Sequence, residues 1–404
     1  MIFDTYWFLL FAVVAIGGFQ LLAPWPMARR LWLAVGCVIF HYHFAGPAGV
    51  VPIVILMIIT YFAGLSRNSG VCIAAMAICV ATLCVYKYMV FFTAAIVGPL
   101  SPVVASALTH RVVPLLPHNA DGTVAWPLGV SFFVFEFVHY LFEVRRGGAP
   151  IRSPLRFLTF AIFFPSLVAG PIKRYTQFLP ALDHAVTTVN PPSGWAEGLA
   201  RVGLGFAKKL VIADQLTMYI DQRQSLFDSM THPQRWGLLA AIAFRILMDF
   251  SGYSDIAIGC ARLLGIRLPE NFNWPYVATS IQDFWQRWHI SLSTWIRDYV
   301  YIPLGGSRHG WPRRLLNGLI AFGLVGLWHG PAWHFVLWGV YHGVGLGICT
   351  VYARIPGVGP LLAKILHKEP VIPWVVTQLY VWLGWLLFFY PTAVAWHMGL
   401  NLFQ

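Results

Sequence analysis

The sequence predicts an all-α protein that crosses the membrane several times. Of its 404 residues, 58% are hydrophobic, 16% are aromatic and only 10% are charged, and the mean hydropathy is +0.68. Soluble globular chains carry far more charged side chains than this. Because the hydrocarbon of a bilayer offers no hydrogen-bond partners, long apolar runs cross it as helices that pair their own backbone groups.

Apolar runs recur along the whole chain. A helix needs about 20 residues to cross roughly 30 Å of hydrocarbon, and on this basis we expect about ten or eleven transmembrane helices. The runs are 7–27, 31–45, 48–65, 71–99, 123–142, 154–172, 199–222, 236–264, 316–329, 331–353 and 371–400. Three of them (31–45, 154–172 and 316–329) are short enough to be re-entrant. No polar linker divides the chain, so we expect a single domain, 1–404.

The net charge of +12 is better explained by membrane topology than by nucleic-acid binding, which we do not expect. Basic residues of membrane proteins collect in cytoplasmic loops. Arginines follow the first run at 29–30 and cluster again at 145–156 and 287–314. These stretches are predicted to be cytoplasmic, which places the N-terminus outside. The six cysteines have no CxxC spacing, so neither a zinc ribbon nor a disulfide framework is predicted.

The stretch DFWQRWHISLSTWIRDYVYIPLGG (283–306) places a histidine, His289, among aromatic and basic residues. Wound as a helix, 281–299 is amphipathic and suits a membrane interface. Its apolar stripe comprises Ile281, Phe284, Trp285, Trp288, Leu292, Trp295, Ile296 and Tyr299, with Arg287, Ile290, Ser291, Thr294 and Asp298 largely opposite. His289 falls on the edge of this stripe beside Ser293, where a side chain can face a cavity. The alternative is a histidine that only bonds a backbone carbonyl.

A second histidine, His329, lies in GLWHGPAW (326–333), where glycine and proline interrupt an apolar run. An ionisable side chain at membrane depth is a functional candidate, and irregular backbone there lies in protein or lines a water-filled cavity. Histidine takes a proton from a hydroxyl and returns it without a metal. No metal site is predicted, because His334 and His342 follow His329 without a metal-binding spacing. We expect His289 and His329 to face a common polar tunnel.

The segment DFSGYSD (249–255) places Asp249, Tyr253 and Asp255 inside an apolar run. Two carboxylates at that depth must be paired or solvated. Either could fix a histidine tautomer or pair with Arg245 or Arg262, and a purely structural ion pair is an equally good interpretation.

Five long motifs resemble the membrane-bound O-acyltransferase (MBOAT) family, and together with weaker matches they cover 60–345 in the expected order. They are GLGFAKKLVIADQL (203–216), FPSLVAGPIKRY (164–175), DFSGYSDIAIGCARLLGIRLPENFNWPY (249–276), FWQRWHISLSTWIRDYVYIPLGGSR (284–308) and GLWHGPAW (326–333). Within the family they look most like the bacterial alginate O-acetyltransferase branch and more distantly like the D-alanyl transfer proteins of teichoic acids. Glu136 and His139 depart from that pattern, since a more neutral polar residue is expected on their helix.

The resemblance implies an MBOAT fold around a central funnel in the bacterial cytoplasmic (inner) membrane. His329 matches the invariant histidine and would be the general base, and His289 matches the second conserved polar position and would position the donor thioester; the reverse assignment is open. The implied tunnel residues are Trp285, Trp288, Ser293, Asp249, Tyr253, Asp255, Asn271 and Trp328. Arg287, Arg297, Lys173 and Arg174 are the candidates for binding donor phosphates, although anionic lipid and topology also explain such basic clusters.

Three functions remain open at this stage. The first is transfer of an acetyl group from acetyl-CoA, a substrate rather than a bound cofactor, to an extracytoplasmic polysaccharide, with a periplasmic acetyltransferase partner. The second is D-alanyl transfer from an acyl carrier protein. The third is a transporter or channel, which the lack of a visible inverted repeat disfavours.

Overall fold

The computed structural model describes residues 2–112, 127–168, 170–351, 356, 357, 359 and 370–404, and no β-strand occurs among them. Residues 123–126 and 352–353 of two predicted runs and Ala169 of the 164–175 motif lie outside the described residues. By its internal contacts the chain divides into two compact units, Met1–Gly205 with Tyr253–Pro269 (unit 1) and Phe206–Gly252 with Glu270–Gln404 (unit 2). The single domain remains a prediction.

Unit 1 is built from nine helices among the described residues. They are α1 (Tyr6–Leu21), α2 (Pro26–Ser66), α3 (Ser69–Leu83), α4 (Met89–Phe92), α5 (Pro102–Val112), α6 (Val130–Arg145), α7 (Pro154–Ala161), α8 (Tyr175–Thr187) and α9 (Pro192–Phe206). Two π-helical turns, Cys84–Tyr88 and Thr93–Val97, continue α3 and α4. The runs 31–45 and 48–65 were predicted as separate, and α2 consists of two helical segments that meet between them. The backbone of Gly46 is non-helical, at φ 65° and ψ 169°, and Pro47 follows it, so the helix is interrupted at the predicted boundary.

Unit 2 contains the segments that carry both histidines. Its helices are α10 (Asp214–Arg223), most of α11 (His232–Leu263), α12 (Ile281–Arg287), α13 (Ile290–Ile296), α14 (Gly310–His329), α15 (Trp333–Val351), α16 (Val371–Phe389) and α17 (Thr392–Asn401). Shorter turns at Ala207–Ala213, Gln224–Ser229, Pro275–Val277 and Arg297–Tyr301 connect them. Gly305 and Gly306, at φ 107° and 58°, form the predicted turn after 281–299.

The prediction of one continuous helix over 281–299 is wrong. The chain forms two short helices, α12 and α13, which are separated by Trp288 and by His289 in the left-handed conformation at φ 43° and ψ 54°. The predicted apolar stripe is nevertheless buried throughout, from Ile281 to Tyr299. Side-chain burial therefore followed the helical pattern even though the backbone did not.

Five helical segments in the described part of the chain are long and apolar enough to cross a membrane. They are Pro26–Ser66, Ser69–Val97, His232–Leu263, Trp333–Val351 and Val371–Phe389. Several other predicted runs form shorter helices, and 154–172 contains only the eight-residue α7 and a 3₁₀ turn. The chain is thus a multi-pass helical membrane protein in which many apolar runs are shorter than a full span.

Helices α14 and α15 form a tight hairpin whose close approach depends on glycine. A Cβ atom at Gly326 would collide with the carbonyl oxygen of Phe335, and one at Gly339 would collide with that of Phe322. Small residues of this kind let helices in membranes pack backbone to backbone. The hairpin holds His329 at its turn, where Gly330 leaves the helix at φ −166°.

We expect Gly326→Ala to destabilise the protein, because the two helices must separate to admit the methyl group. Overpacking of this kind costs about 1–3 kcal/mol. Gly323→Ala is the matched control, since no atom lies within 4 Å of a Cβ there. Alanine also stabilises a helix interior relative to glycine. Thermal unfolding in detergent should show a lower midpoint for Gly326→Ala only. Equal midpoints for both variants would contradict this account of the hairpin.

Candidate active site

His289 is held in its left-handed backbone conformation by the segment that begins at Asn271. The Ile290 amide donates to the Asn271 carbonyl oxygen at 2.9 Å, and the Asn273 amide donates to the Arg287 carbonyl oxygen at 2.9 Å. The imidazole of His289 is 1% exposed and meets the Phe250 ring edge to face at 4.7 Å between centroids. A positive φ is uncommon outside glycine and costs energy, so these bonds fix the histidine at one place.

Asn271 also determines which nitrogen of His289 carries the proton. Its Oδ1 atom accepts from the Ser291 backbone amide at 3.3 Å and from the Ser291 hydroxyl at 2.9 Å. Since a backbone amide only donates, this side-chain atom is an acceptor, and His289 Nδ1 at 3.0 Å must donate to it. Burial lowers the pKa of His289 to about 3, which keeps the ring neutral. Its buried Nε2 therefore holds a free lone pair, with no hydrogen-bond partner among the described residues.

His329 lies in an aromatic setting at the C-terminal end of α14. Its ring centroid is 5.1 Å from Trp338, 5.0 Å from Phe388 and 4.7 Å from Trp328. The Trp328 ring also lies 6.2 Å from the ring of His289. The two predicted catalytic histidines thus contact the same indole.

A cavity of about 490 Å³ lies within unit 2. Trp285 and Ser293 line it, whereas neither histidine is among its lining residues, so the common tunnel stays a prediction. On α14 the cavity is lined by Arg314, Leu315, Gly318, Ala321, Phe322 and Val325. These positions recur every three or four residues and form one helix face. The next positions on that face are Trp328 and His329, so the cavity follows α14 towards His329.

The cations of this region differ in whether they already have an anionic partner. Arg287 pairs with Asp283 and Arg297 with Asp298, both at 2.7 Å. Arg314, half-buried in the cavity wall, has no hydrogen-bond or ion-pair partner among the described residues. Because ion pairing satisfies the other two, Arg314 is the better anion ligand. Sequence reasoning missed it because it counted Arg314 only as part of a cytoplasmic stretch.

The other two phosphate candidates belong to unit 1. Lys173 is 1% exposed and lies 2.5 Å from the carboxylate of Glu136, the departure noted above. Breaking a buried pair leaves an uncompensated charge, so Lys173 is committed to Glu136. Arg174 lines a separate pocket of about 200 Å³ with Gln177 and Arg267.

The two aspartates of DFSGYSD are paired, although not with the predicted arginines. Asp249, in unit 2, lies 3.0 Å from Lys209, and Asp255, in unit 1, lies 2.6 Å from Arg201. The tautomer of His289 is therefore set by Asn271 and not by an aspartate.

The remaining predicted tunnel residues occupy buried positions. Trp288 is 3% exposed and stacks at 5.6 Å on Phe284. Trp285 Nε1 donates to His342 Nδ1 at 3.3 Å. Tyr253, in unit 1, stacks on Phe3 at 4.3 Å.

Long apolar helices and two imidazoles on one indole define a multi-pass membrane protein with a partly buried site suited to proton transfer. The chain belongs to the membrane-bound O-acyltransferase family, whose model matches residues 123–355. That range includes both histidines, Asn271 and the whole α14 face.

Three relatives are similar to about two thirds of the chain. The probable alginate O-acetylase of Azotobacter vinelandii is 40% identical over 283 residues, which cover 69% of this chain and 54% of that protein. The peptidoglycan O-acetyltransferase of Helicobacter pylori is 32% identical, over 65% of this chain and 54% of that protein. The teichoic acid D-alanyltransferase of Bacillus subtilis is 31% identical, over 63% of this chain and 66% of that protein. The chain spans about half the length of the first of these relatives.

Proposed function

We propose that this protein is an O-acyltransferase that moves an acetyl group from acetyl-CoA at the cytoplasmic face of the bacterial inner membrane to a hydroxyl of an extracytoplasmic polysaccharide. A periplasmic acetyltransferase partner would assist this transfer at the outer face of the membrane. The names of the Azotobacter and Helicobacter relatives support acetylation of a polysaccharide. Membership of the family supports acyl transfer.

The observation that carries this proposal is the cavity along α14, with Arg314 at one end of the helix face and His329 at the other. Fifteen residues separate them, a rise of about 22 Å along a helix. An extended phosphopantetheine arm has a comparable length. Its phosphate would bind the unpaired guanidinium of Arg314, and its thioester would then lie beside His329.

Two imidazoles have distinct parts in the reaction. His329 takes the proton of the acceptor hydroxyl while the hydroxyl oxygen attacks the thioester carbonyl. His329 then returns that proton to the departing thiolate of coenzyme A. His289 offers the lone pair of Nε2 and no N–H at that atom, so it accepts a hydrogen bond. An amide N–H of the pantetheine arm is a suitable donor, and this bond would position the thioester.

Arg314→Gln is expected to raise the KM for acetyl-CoA about 10- to 100-fold, because a hydrogen bond to a charged group contributes about 1.5–3 kcal/mol. The kcat should change little, since the phosphate is remote from the reacting carbonyl. Arg313→Gln is the matched control, because Arg313 is exposed and does not line the cavity. Initial rates at varied acetyl-CoA measure both constants. An unchanged KM in Arg314→Gln would contradict the proposed donor path.

D-alanyl transfer is the second candidate, and the Bacillus relative favours it. A carrier protein presents the same phosphopantetheine arm, so the cavity serves either donor. Purified protein should therefore be offered acetyl-CoA and a D-alanyl carrier protein in parallel. Turnover of the D-alanyl carrier protein without turnover of acetyl-CoA would contradict acetyl transfer and support D-alanyl transfer.

A further inference from the structure

A second pocket of unit 2 has a composition that acyl-donor binding does not explain. It encloses about 210 Å³ and is lined by Thr217, Ile220, Asp221, Gln224, Ile242, Arg245, Phe389 and Tyr390. Five of these eight side chains carry polar atoms, and two of the five, Asp221 and Arg245, are charged, in a chain that is only 10% charged. The pocket is therefore suited to a polar ligand.

The pocket lies at the same end of α16 as His329. The ring of Phe388, near the C-terminal end of that helix, meets the ring of His329 at 5.0 Å. His334, at the start of α15, donates from Nδ1 to the Leu387 carbonyl oxygen of α16 at 2.9 Å. The next residues along α16, Phe389 and Tyr390, line the pocket. Since α14 begins at the arginine-rich segment that is predicted to be cytoplasmic, the predicted topology places this end of the helices outside, where the acceptor would arrive.

Arg245 is the strongest feature of the pocket. It belongs to a helix that is long and apolar enough to span the membrane, where an ionisable side chain is costly unless it is paired or functional. Its Nε donates to the Thr217 hydroxyl at 3.2 Å, and its guanidinium lies over the Phe389 ring at 5.1 Å. No carboxylate among the described residues pairs with it, so its two terminal amino groups are available to an anion.

The remaining polar groups form a chain of hydrogen bonds beside this cation, which ends at the carboxylate of Asp221. The Tyr390 hydroxyl donates to Gln224 Oε1 at 3.1 Å, and Gln224 Nε2 donates to Asp221 at 3.3 Å. The exposed Asp221 has no cationic partner among the described residues, so its second oxygen can accept from a ligand hydroxyl. One side of the pocket is therefore suited to a carboxylate and the other to hydroxyl groups.

We propose that this pocket is a subsite for the acceptor, and that it binds one sugar unit carrying a carboxylate, a sugar acid of the polysaccharide. The Arg245 guanidinium binds the carboxylate in the bidentate manner that favours arginine, and Asp221 with Gln224 binds ring hydroxyls. The volume suits a single sugar ring, and Phe389 supplies an apolar face. The assignment rests on the proposed function, because it places the acceptor at the end of the helices where His329 lies.

Binding of short oligouronates to the detergent-purified protein tests this subsite without any turnover. Arg245→Met is expected to weaken oligouronate binding about 10- to 100-fold, and wild-type affinity should fall with added salt. A neutral oligoglucoside of equal length should bind more weakly than the oligouronate and should not respond to the substitution. Arg223→Met is the matched control, because Arg223 lies over the Tyr219 ring at 4.1 Å outside the pocket.

Asp221→Asn provides an independent variant on an exposed residue, should Arg245→Met fold poorly. It keeps an acceptor oxygen and removes a negative charge beside the ligand carboxylate. Oligouronate affinity should therefore rise about two- to fivefold at low salt, with no change for the neutral oligosaccharide. Equal affinity of wild type for both probes, or unchanged affinity in both variants, would overturn the proposal. Competition by inorganic phosphate but not by the neutral sugar, with no preference for the uronate, would instead indicate a general anion site.

Release of coenzyme A by the same preparations separates this inference from the proposed function. If turnover is lost in His329→Ala but oligouronate binding is unchanged in Arg245→Met, the subsite is contradicted and the acyltransferase is supported. If Arg245→Met weakens oligouronate binding but the wild-type protein consumes no thioester donor, the sugar-acid site is supported and the acyltransferase is contradicted.

Discussion

Replacing His329 with alanine is expected to reduce acyl transfer about 10²–10⁴-fold, the contribution of a positioned general base. The loss should appear in kcat, because the imidazole acts on the hydroxyl proton in the transition state and not on the bound donor. Trp338 and Phe388, whose rings pack on the imidazole at 5.1 and 5.0 Å, remain to hold the hairpin turn. The variant should therefore purify as a folded protein. Release of coenzyme A thiol by purified enzyme measures the effect.

His397→Ala is the control for that experiment. His397 is exposed and lies 2.6 Å from Asp228, outside the contacts of His329. It should retain near wild-type turnover. Near wild-type turnover by His329→Ala would end its assignment as the base, whereas loss of folded protein in that variant alone would make it a packing residue.

Hydropathy predicted the fold class because apolar runs must become helices in a bilayer, but it could not predict how runs join. Gly46 and Pro47 mark the boundary between the runs 31–45 and 48–65, and the backbone of Gly46 is non-helical there, at φ 65° and ψ 169°. The two helical segments of α2 follow each other through this kink and not through a loop. The hydropathy of the two runs does not specify that connection.

The break at His289 was missed for a related reason. The apolar positions from Phe284 to Trp295 keep helical spacing across the break, so the pattern predicted burial correctly and the backbone wrongly. The break is fixed by the bond from the Ile290 amide to the Asn271 carbonyl oxygen, a partner 19 residues away. A window of local sequence does not contain it.

The histidines and Asn271 were identified through motifs, whereas their arrangement required coordinates. The sequence left open whether an aspartate fixes a histidine tautomer or forms an ion pair. Both aspartates pair with basic residues, and Asn271 fixes the tautomer of His289. Whether Arg314 is available to bind an anion likewise depends on the side chains beside it. Its neighbour Arg313 has the same charge, and only the three-dimensional contacts distinguish the cavity wall from the exposed surface.

Loss of the His289 imidazole is expected to have the second-largest effect, and the backbone dictates which substitution reveals it. Alanine is less tolerant than histidine of the left-handed conformation at φ 43°, so His289→Ala combines a conformational cost with a chemical one. Asparagine tolerates the left-handed region and its amide can still donate to Asn271 Oδ1. It has no nitrogen lone pair in place of Nε2. His289→Asn should therefore fold like wild type and transfer the acyl group about 10²-fold more slowly.

Asn271→Leu tests whether Asn271 acts through that imidazole. Removing Oδ1 leaves His289 Nδ1 and the Ser291 hydroxyl without their acceptor, so the tautomer is no longer fixed and part of the rate is lost. If the two residues form one unit, the His289→Asn, Asn271→Leu double variant should be no slower than His289→Asn alone, because the effects of coupled groups are not additive. Rates for wild type, both single variants and the double variant, each normalised to folded protein, complete the cycle. Rate losses that simply multiply would show that Asn271 contributes independently, and the orienting role of its carbonyl oxygen would have to be abandoned.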